Sequence, residues 1–312
     1  MMKFAFLGSS DFSAIILKRL VKEGVELAFT LTRSRKPRRR GKKNAPTMVR
    51  KVSERLKIPC IETDNPDEAI PEIKKHNVNG VILASYGAIL SKEFLGSVKY
   101  PLNIHPSLLP KYRGAAPIQR AIMNGETVTG VTVFIMDEGM DTGDILEQEQ
   151  VKIVPFEVFT ELEARLAEKG SELILKVLSK IKEGKRLKGV KQEHSKATYA
   201  KKIKKKELVV DWDRDATQVV NQIRALSYKP GPFTCWRGRR LKILRAIPLK
   251  GSGNGPGVVI SLRGYIVVSA RHNLVCIKEV QPEGKKRMDA QAFVNGYRIS
   301  IGERFTGICA DL

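Results

Sequence analysis

The opening stretch constrains the fold more than any other. Met2–Leu7 is almost wholly apolar, without the alternation of a half-exposed strand, as suits a strand covered on both faces of a parallel sheet. Gly8 opens a turn, Ser10 or Asp11 can cap a helix running to about Lys22, and Ile15, Ile16, Leu17, Leu20 and Val21 fall at helical spacing before Gly24. The pattern repeats: strands at Val25–Thr32 and Ile58–Ile61, a helix at Asp67–His76, a buried strand at Asn79–Tyr86, then an exit at Gly87, Ala88, Ile89 and Leu90. This rhythm predicts a doubly wound α/β domain, Rossmann-like, with a mostly parallel sheet and right-handed crossovers. Its first turn reads GSSDF and lacks GxGxxG, which disfavours a dinucleotide site.

The next strand carries chemistry. In LNIHPSLLPKYRG, Leu102 to Gly114, Asn103 and His105 lie two apart, so an extended chain presents both on one face while Leu102 and Ile104 point the other way. Pro106 has no N–H for a sheet ladder, so the strand ends there and leaves the pair at its carboxyl end, where open α/β sheets hold ligands. Further on, GVTVFIMDEGMDTGD reads as a strand at Val131–Met136 running into a Gly-rich acidic loop. If the two strands are neighbours, Asp141 can reach the imidazole. An amide, an imidazole and a carboxylate, with no Ser or Cys nucleophile and base beside them, suit direct acyl or formyl transfer to an amine.

LNIHPSLLPKYRG followed by GVTVFIMDEGMDTGDIL resembles the signature of the folate-dependent formyltransferases. TYAKKIKKKE, VDWDRDATQVVNQIRAL and VQPEGKKRM, in order through the second half, extend the likeness over nearly the whole chain, toward the branch that acts on methionyl-tRNA. The resemblance implies catalytic roles for Asn103, His105 and Asp141, and 10-formyltetrahydrofolate as co-substrate. It implies a folate site formed with Ser107, Leu108, Leu109 and Pro110, and a pterin pocket lined by the backbone of Gly87, Ala88, Ile89 and Leu90. The acceptor it implies is the α-amine of initiator methionyl-tRNA.

Formyl transfer to an amine passes through a tetrahedral oxyanion. The Asn103 amide is suited to hold it, and losing one such donor typically costs ~3 kcal/mol in barrier. His105 can polarise the formyl oxygen or shuttle the amine's proton, and Asp141 would fix its tautomer. Arg113 can position substrate, or support the loop by pairing with Asp141 or Glu138. Asp137, Glu138 and Asp144 resemble a cation cluster with Asp141, yet their interleaved glycines suit a tight loop equally well, and the reaction needs no metal. His76, His194 and His272 have no comparable neighbours and are expected in supporting or surface positions.

The acceptor class gains weight from charge. The chain has 56 Lys and Arg against 33 Asp and Glu, a formal net charge of +23, which points to a polyanionic partner or an acidic surface, nucleic acid foremost. The densest run, RSRKPRRRGKK at Arg33–Lys43, is either a solvated loop or a phosphate-gripping arm in which Arg38, Arg39, Arg40, Lys42 and Lys43 bind tRNA. It should leave the sheet on the same edge as Asn103 and His105. A formyltransferase for a small amine would have little use for such a run; a non-catalytic RNA-binding protein would have none for the Asn, His and Asp set.

Beyond a helical stretch at Thr160–Ile181 the pattern fades. We expect a catalytic domain over residues 1–188, a basic linker over 189–207 and a tRNA-binding domain over 208–312. There, a helix at Thr217–Ser227 precedes short strands at Phe233–Arg237, Leu241–Ile247, Val258–Leu262, Tyr265–Ala270 and Leu274–Gln281. Gly-rich turns separate them, which predicts a small OB-like β-barrel. Trp236 is expected in its core, and Arg237, Arg239, Arg240, Lys242 and Arg245 facing RNA backbone. Cys60, Cys235, Cys276 and Cys309 form no metal-binding spacing and are expected as reduced thiols. No run approaches the ~20 apolar residues of a membrane span, so a cytoplasmic, soluble protein is expected, and we also expect a monomer.

Overall fold

A computed structural model describes residues 2–34, 45–307 and 309. The chain forms two compact units, one from the described residues of Met1–Pro117, Val128–Lys152 and Glu163–Ala200, the other from those of Ile118–Thr127, Ile153–Leu162 and Lys201–Leu312.

The first unit is built on strands β1 (Phe4–Gly8), β2 (Leu27–Thr32), β3 (Cys60–Glu62), β4 (Gly80–Ala84), β5 (Tyr100–His105), β6 (Val128–Ile135) and β7 (Ile145–Lys152), in the spatial order β3-β2-β1-β4-β5-β6-β7. The first five are parallel; β6 and β7 are antiparallel additions at one edge. Helices α1 (Asp11–Lys22), α2 (Met48–Leu56), α3 (Ile70–Lys75) and α4 (Lys92–Gly96) connect the parallel strands, and α5 (Pro117–Met123) leads from β5 toward β6. A long helix, α6 (Phe159–Lys182), follows β7. β1 and β4 are buried at every residue, as continuous apolar runs in a two-faced parallel sheet must be. Ser10 caps α1 and exchanges bonds with Ser13 in a capping box, and Gly24, at φ 74°, follows its end. The single helix expected at Asp67–His76 is instead a 3-10 turn at Pro66–Ala69 followed by α3. Pro71, in the first turn of α3, has no N–H to continue the helix across the junction.

In the second unit, helix α7 (Ala216–Leu226) is capped by the Asp215 carboxylate, which accepts from Thr217 N. Strands β8 (Phe233–Trp236), β9 (Arg239–Leu249), β10 (Val259–Ser261), β11 (Ile266–Ser269) and β12 (Leu274–Pro282) make a curled antiparallel sheet in the order β10-β11-β12-β9-β8, with β13 (Met288–Asp289) on β12. It is a half-barrel of OB-like form. Sequence reading misses helix α8 (Ala290–Tyr297), whose Phe293 is fully buried and meets Trp236 edge-on at 5.1 Å between ring centroids. Trp236 is therefore a core residue, as expected.

The expectation of four reduced thiols is overturned. A bridge between Cys235 and Thr306 brings the end of the chain beside β8, and Cys235 and Cys309 are joined in a disulfide with their Cα atoms 5.2 Å apart. Cys60 and Cys276 are free; burial pushes the Cys276 thiol up. No helix among the described residues is long and apolar enough to cross a membrane.

Candidate active site

Alternation along β5 does what its sequence implies: Asn103 and His105 share a face, and both are buried, at 8% and 5% exposure. β5 stops at His105, immediately before Pro106. Beside the carboxyl ends of β4 and β5 lies a cavity of about 450 Å³. Leu83, Tyr86, Leu95, Phe134 and Met136 give it apolar walls, and Asn103, His105 and Asp141 bring their polar groups together there. Tyr86 anchors one wall: its ring is buried, its hydroxyl donates to the Thr63 carbonyl at 3.0 Å, and desolvation pushes its pKa up to about 12.

Asp141 arrives by an indirect route. β6 is antiparallel to β5, and Ile135 at its end lies opposite Leu102, so the following loop turns back along β5 to bring the carboxylate to Asn103 and His105. Asp141 Oδ1 lies 3.5 Å from Asn103 Nδ2, and Oδ2 lies 3.6 Å from His105 Nδ1. Oδ2 also accepts the Gly114 N–H at 2.8 Å. Asp141 adopts φ 56°. The left-handed region is one that Asp tolerates better than most residues.

The His105 tautomer is set by a group that sequence reading does not single out. Its Nε2 lies 2.9 Å from the Tyr112 carbonyl oxygen, which only accepts, so Nε2 carries a hydrogen and Nδ1 faces Asp141. Tyr112 itself sits at φ 61°. Among the described residues, Asn103 Oδ1 is buried without a hydrogen-bond partner. A buried unpaired acceptor costs about 1–3 kcal/mol, which a ligand N–H in the cavity would relieve.

Gly87, Ala88, Ile89 and Leu90 line the cavity, with Gly87 at φ 83° in the turn beyond β4 and Ile89 82% exposed at its rim. Ser107, Leu108, Leu109 and Pro110 are not among the lining residues. The Ser107 hydroxyl donates to Lys111 O at 2.6 Å, and Leu109 N–H donates to Thr132 Oγ1 at 3.2 Å, so their bonds close the turn behind His105. Arg113 takes neither of the acidic partners considered for it. It is 1% exposed, donates to Gln192 Oε1 from Nε at 3.1 Å and Nη2 at 2.6 Å, and reaches His194 Nδ1 from Nη1 at 3.2 Å. His194 is thus a supporting residue.

The other acids of the loop have separate duties. Asp137 Oδ1 accepts from Gly139 N and Thr142 Oγ1, closing the loop on itself, and Glu138 pairs with Lys92 at 3.6 Å. Among the described residues no three His, Cys, Asp or Glu side chains gather as a metal would require. Arg38, Arg39, Arg40, Lys42 and Lys43 lie outside the described residues; β2, which ends at Thr32 just before the basic run, is parallel to β4 and β5.

Two family models cover the chain: formyl transferase at residues 2–178 and formyl transferase, C-terminal domain, at residues 202–298. The methionyl-tRNA formyltransferase of Thermotoga neapolitana is 39% identical over 311 residues, covering 98% of this chain and 99% of the relative. That of Symbiobacterium thermophilum is 39% identical over 313 residues, covering 98% and 96%. Among solved structures, HypX from Aquifex aeolicus in complex with tetrahydrofolic acid matches with a TM-score of 0.68 at 20% identity, over 95% of this chain and 47% of that longer one. The N-formyltransferase of Helicobacter canadensis, in complex with folinic acid and dTDP-3-aminofucose, matches at 0.64 and 19% identity, over 90% of this chain and 100% of that one. At such identities these two structures speak for the fold.

Proposed function

This chain belongs to the formyl transferase family, and from that membership we propose that it carries a formyl group from 10-formyltetrahydrofolate to the α-amine of methionine esterified to initiator tRNA, giving N-formylmethionyl-tRNA. The relatives at 39% identity over nearly the full length support the acceptor. The observation that carries the chemistry is the meeting of Asn103, His105 and Asp141 at an apolar-walled cavity, with the Asp141 carboxylate 3.5 Å from the Asn103 amide and 3.6 Å from the His105 imidazole. That cavity suits the flat ring system of a folate, with Gly87 to Leu90 along one side.

The amine attacks neutral, and a C–N bond forms as the formyl oxygen becomes an oxyanion. Among the described residues, Asn103 Nδ2 holds only the long contact to Asp141 and Oδ1 has no partner, so the amide can turn to the oxyanion while Oδ1 accepts an N–H of the attacking amine. His105 is kept in place by Tyr112, leaving Nδ1 to take the amine's proton and return it to the departing folate nitrogen as the old C–N bond breaks. The Asp141 carboxylate offsets the charge on the imidazole while it holds that proton.

Ser107 to Pro110 contribute by shaping the turn behind His105. We assign Arg38, Arg39, Arg40, Lys42 and Lys43 to RNA phosphates, and place the enzyme in the cytoplasm as a monomer. A transfer assay with charged initiator tRNA, charged elongator tRNA and free methionine side by side tests the reading. Formylation of the initiator far above the other two is expected. Equal rates on free methionine would overturn the RNA acceptor, and no transfer to any of them would overturn the activity.

A further inference from the structure

We infer that Gln192 is a positioning residue for this reaction, holding the loop that delivers Asp141 to His105 and Asn103. The need for a holder comes from the topology. The loop leaves β6 opposite Leu102 and has to fold back along β5, and Asp141 occupies the left-handed region at φ 56°. No ladder bond falls at Asp141 to keep it there, since β6 ends at Ile135 and β7 begins at Ile145.

One glutamine amide supplies the missing bonds. Gln192 Nε2 donates one hydrogen to the Asp141 carbonyl at 2.9 Å and the other to the Gly143 carbonyl at 2.8 Å. Its Oε1 accepts twice from the buried Arg113 guanidinium. Every polar group of the side chain is used, and the residue is 6% exposed.

Arg113 stands between two residues that also touch the reacting side chains. Tyr112 offers its carbonyl to His105, and Gly114 gives its N–H to Asp141. This segment is pinned by Thr198 and Ala200, with Arg113 N–H donating to Thr198 O at 2.9 Å and Ala200 N–H to Arg113 O at 2.7 Å. The stretch 192–200, which reads in the sequence as linker, is thus a strap behind the site. Gln192 is its one side chain bonded at once to the Asp141 loop and to the Tyr112–Gly114 segment.

Gln192→Glu separates positioning from plain support. The carboxylate keeps the oxygen that accepts twice from Arg113 and adds charge to that pair, yet has no hydrogen for Asp141 or Gly143. The kcat part of the test rests on the formyl transfer proposed above. Q192E is expected to fold, to keep its KM for charged tRNA and for folate, and to lose kcat on the order of a hundredfold, as a misplaced group does. Gln192→Asn, which keeps the amide one methylene shorter, should recover part of that loss. A second readout needs neither substrate: the side-chain 15N resonances of His105, assigned by their disappearance in His105→Ala, should move in Q192E. Wild-type kcat with unmoved His105 resonances in Q192E would overturn the inference. If Q192E does not fold, Gln192→Met, which has a similar length but no hydrogen to donate, would overturn it equally with wild-type kcat and resonances. A wild-type enzyme that formylates no acceptor, with His105 resonances that still move, would defeat the reaction and leave the positioning role standing.

Discussion

Asp141 is 14% exposed in its side chain and meets three groups: the amide of Asn103, the imidazole of His105 and the main-chain N–H of Gly114. The last contact anchors it; the other two connect it to the chemistry proposed for the site. Asp141→Asn keeps the shape and an acceptor for Gly114, but removes the negative charge opposite His105 Nδ1. Acid–base catalysis through a positioned side chain is worth roughly 10² to 10⁴ in rate, so kcat should fall by at least on the order of a hundredfold while folate binding stays near wild type. Steady-state kinetics with a folate-binding titration checks this, and an unchanged kcat would remove Asp141 from the reaction. At this scale the sequence is a good guide for Asn103 and His105, because period-two alternation in a strand is local. It is a poor guide for Tyr112, whose contribution is a carbonyl that any residue would carry.

At the scale of elements, Arg120 on α5 and Glu207 in the 3-10 turn at Lys205–Leu208 form a two-pronged pair, with Nη1–Oε1 at 2.5 Å and Nη2–Oε2 at 3.1 Å, and Glu207 also accepts from Lys204 N. The hydrogen bond from Arg120 holds the Glu207 carboxyl below the usual carboxylate range. A carboxyl with a folded-state pKa below its unfolded one stabilises the fold in full above the usual range. That contribution disappears as the pH falls through the depressed folded value. The Tm gap between wild type and Glu207→Gln should therefore be widest near neutrality, worth ~1 kcal/mol for a pair that stays partly in reach of solvent, and should close on acidification. A gap that does not change with pH would mean that the carboxylate's charge is not what stabilises. The pair links residues 87 apart in the chain, and nothing in the local pattern of either segment announces it.

Over the whole molecule, the excess of 56 basic over 33 acidic residues means that the RNA association proposed above should be steeply salt-dependent. Each neutralised phosphate contributes about −0.7 to −0.9 to the slope of log K against log salt, so replacing Arg38, Arg39 and Arg40 with Ala should flatten that slope by about 2 to 3. KM for charged tRNA should rise far more than KM for folate. An unaltered slope and KM would detach the basic run from RNA binding.

The alternation of strands and helices in the first unit, the mostly parallel sheet, the barrel-like second unit and the pairing of Asn103 with His105 were readable along the chain, because each follows from hydrophobic period, turn residues or a fixed two-residue spacing, though helix α8 was not. Three features depended on folding in three dimensions: the return of the Asp141 loop along β5, the strap at 192–200 that holds it, and the meeting of Cys235 with Cys309. Each joins segments separated by dozens of residues through main-chain groups or single side chains. Such bonds obey no periodicity, and only the folded chain brings their partners within reach.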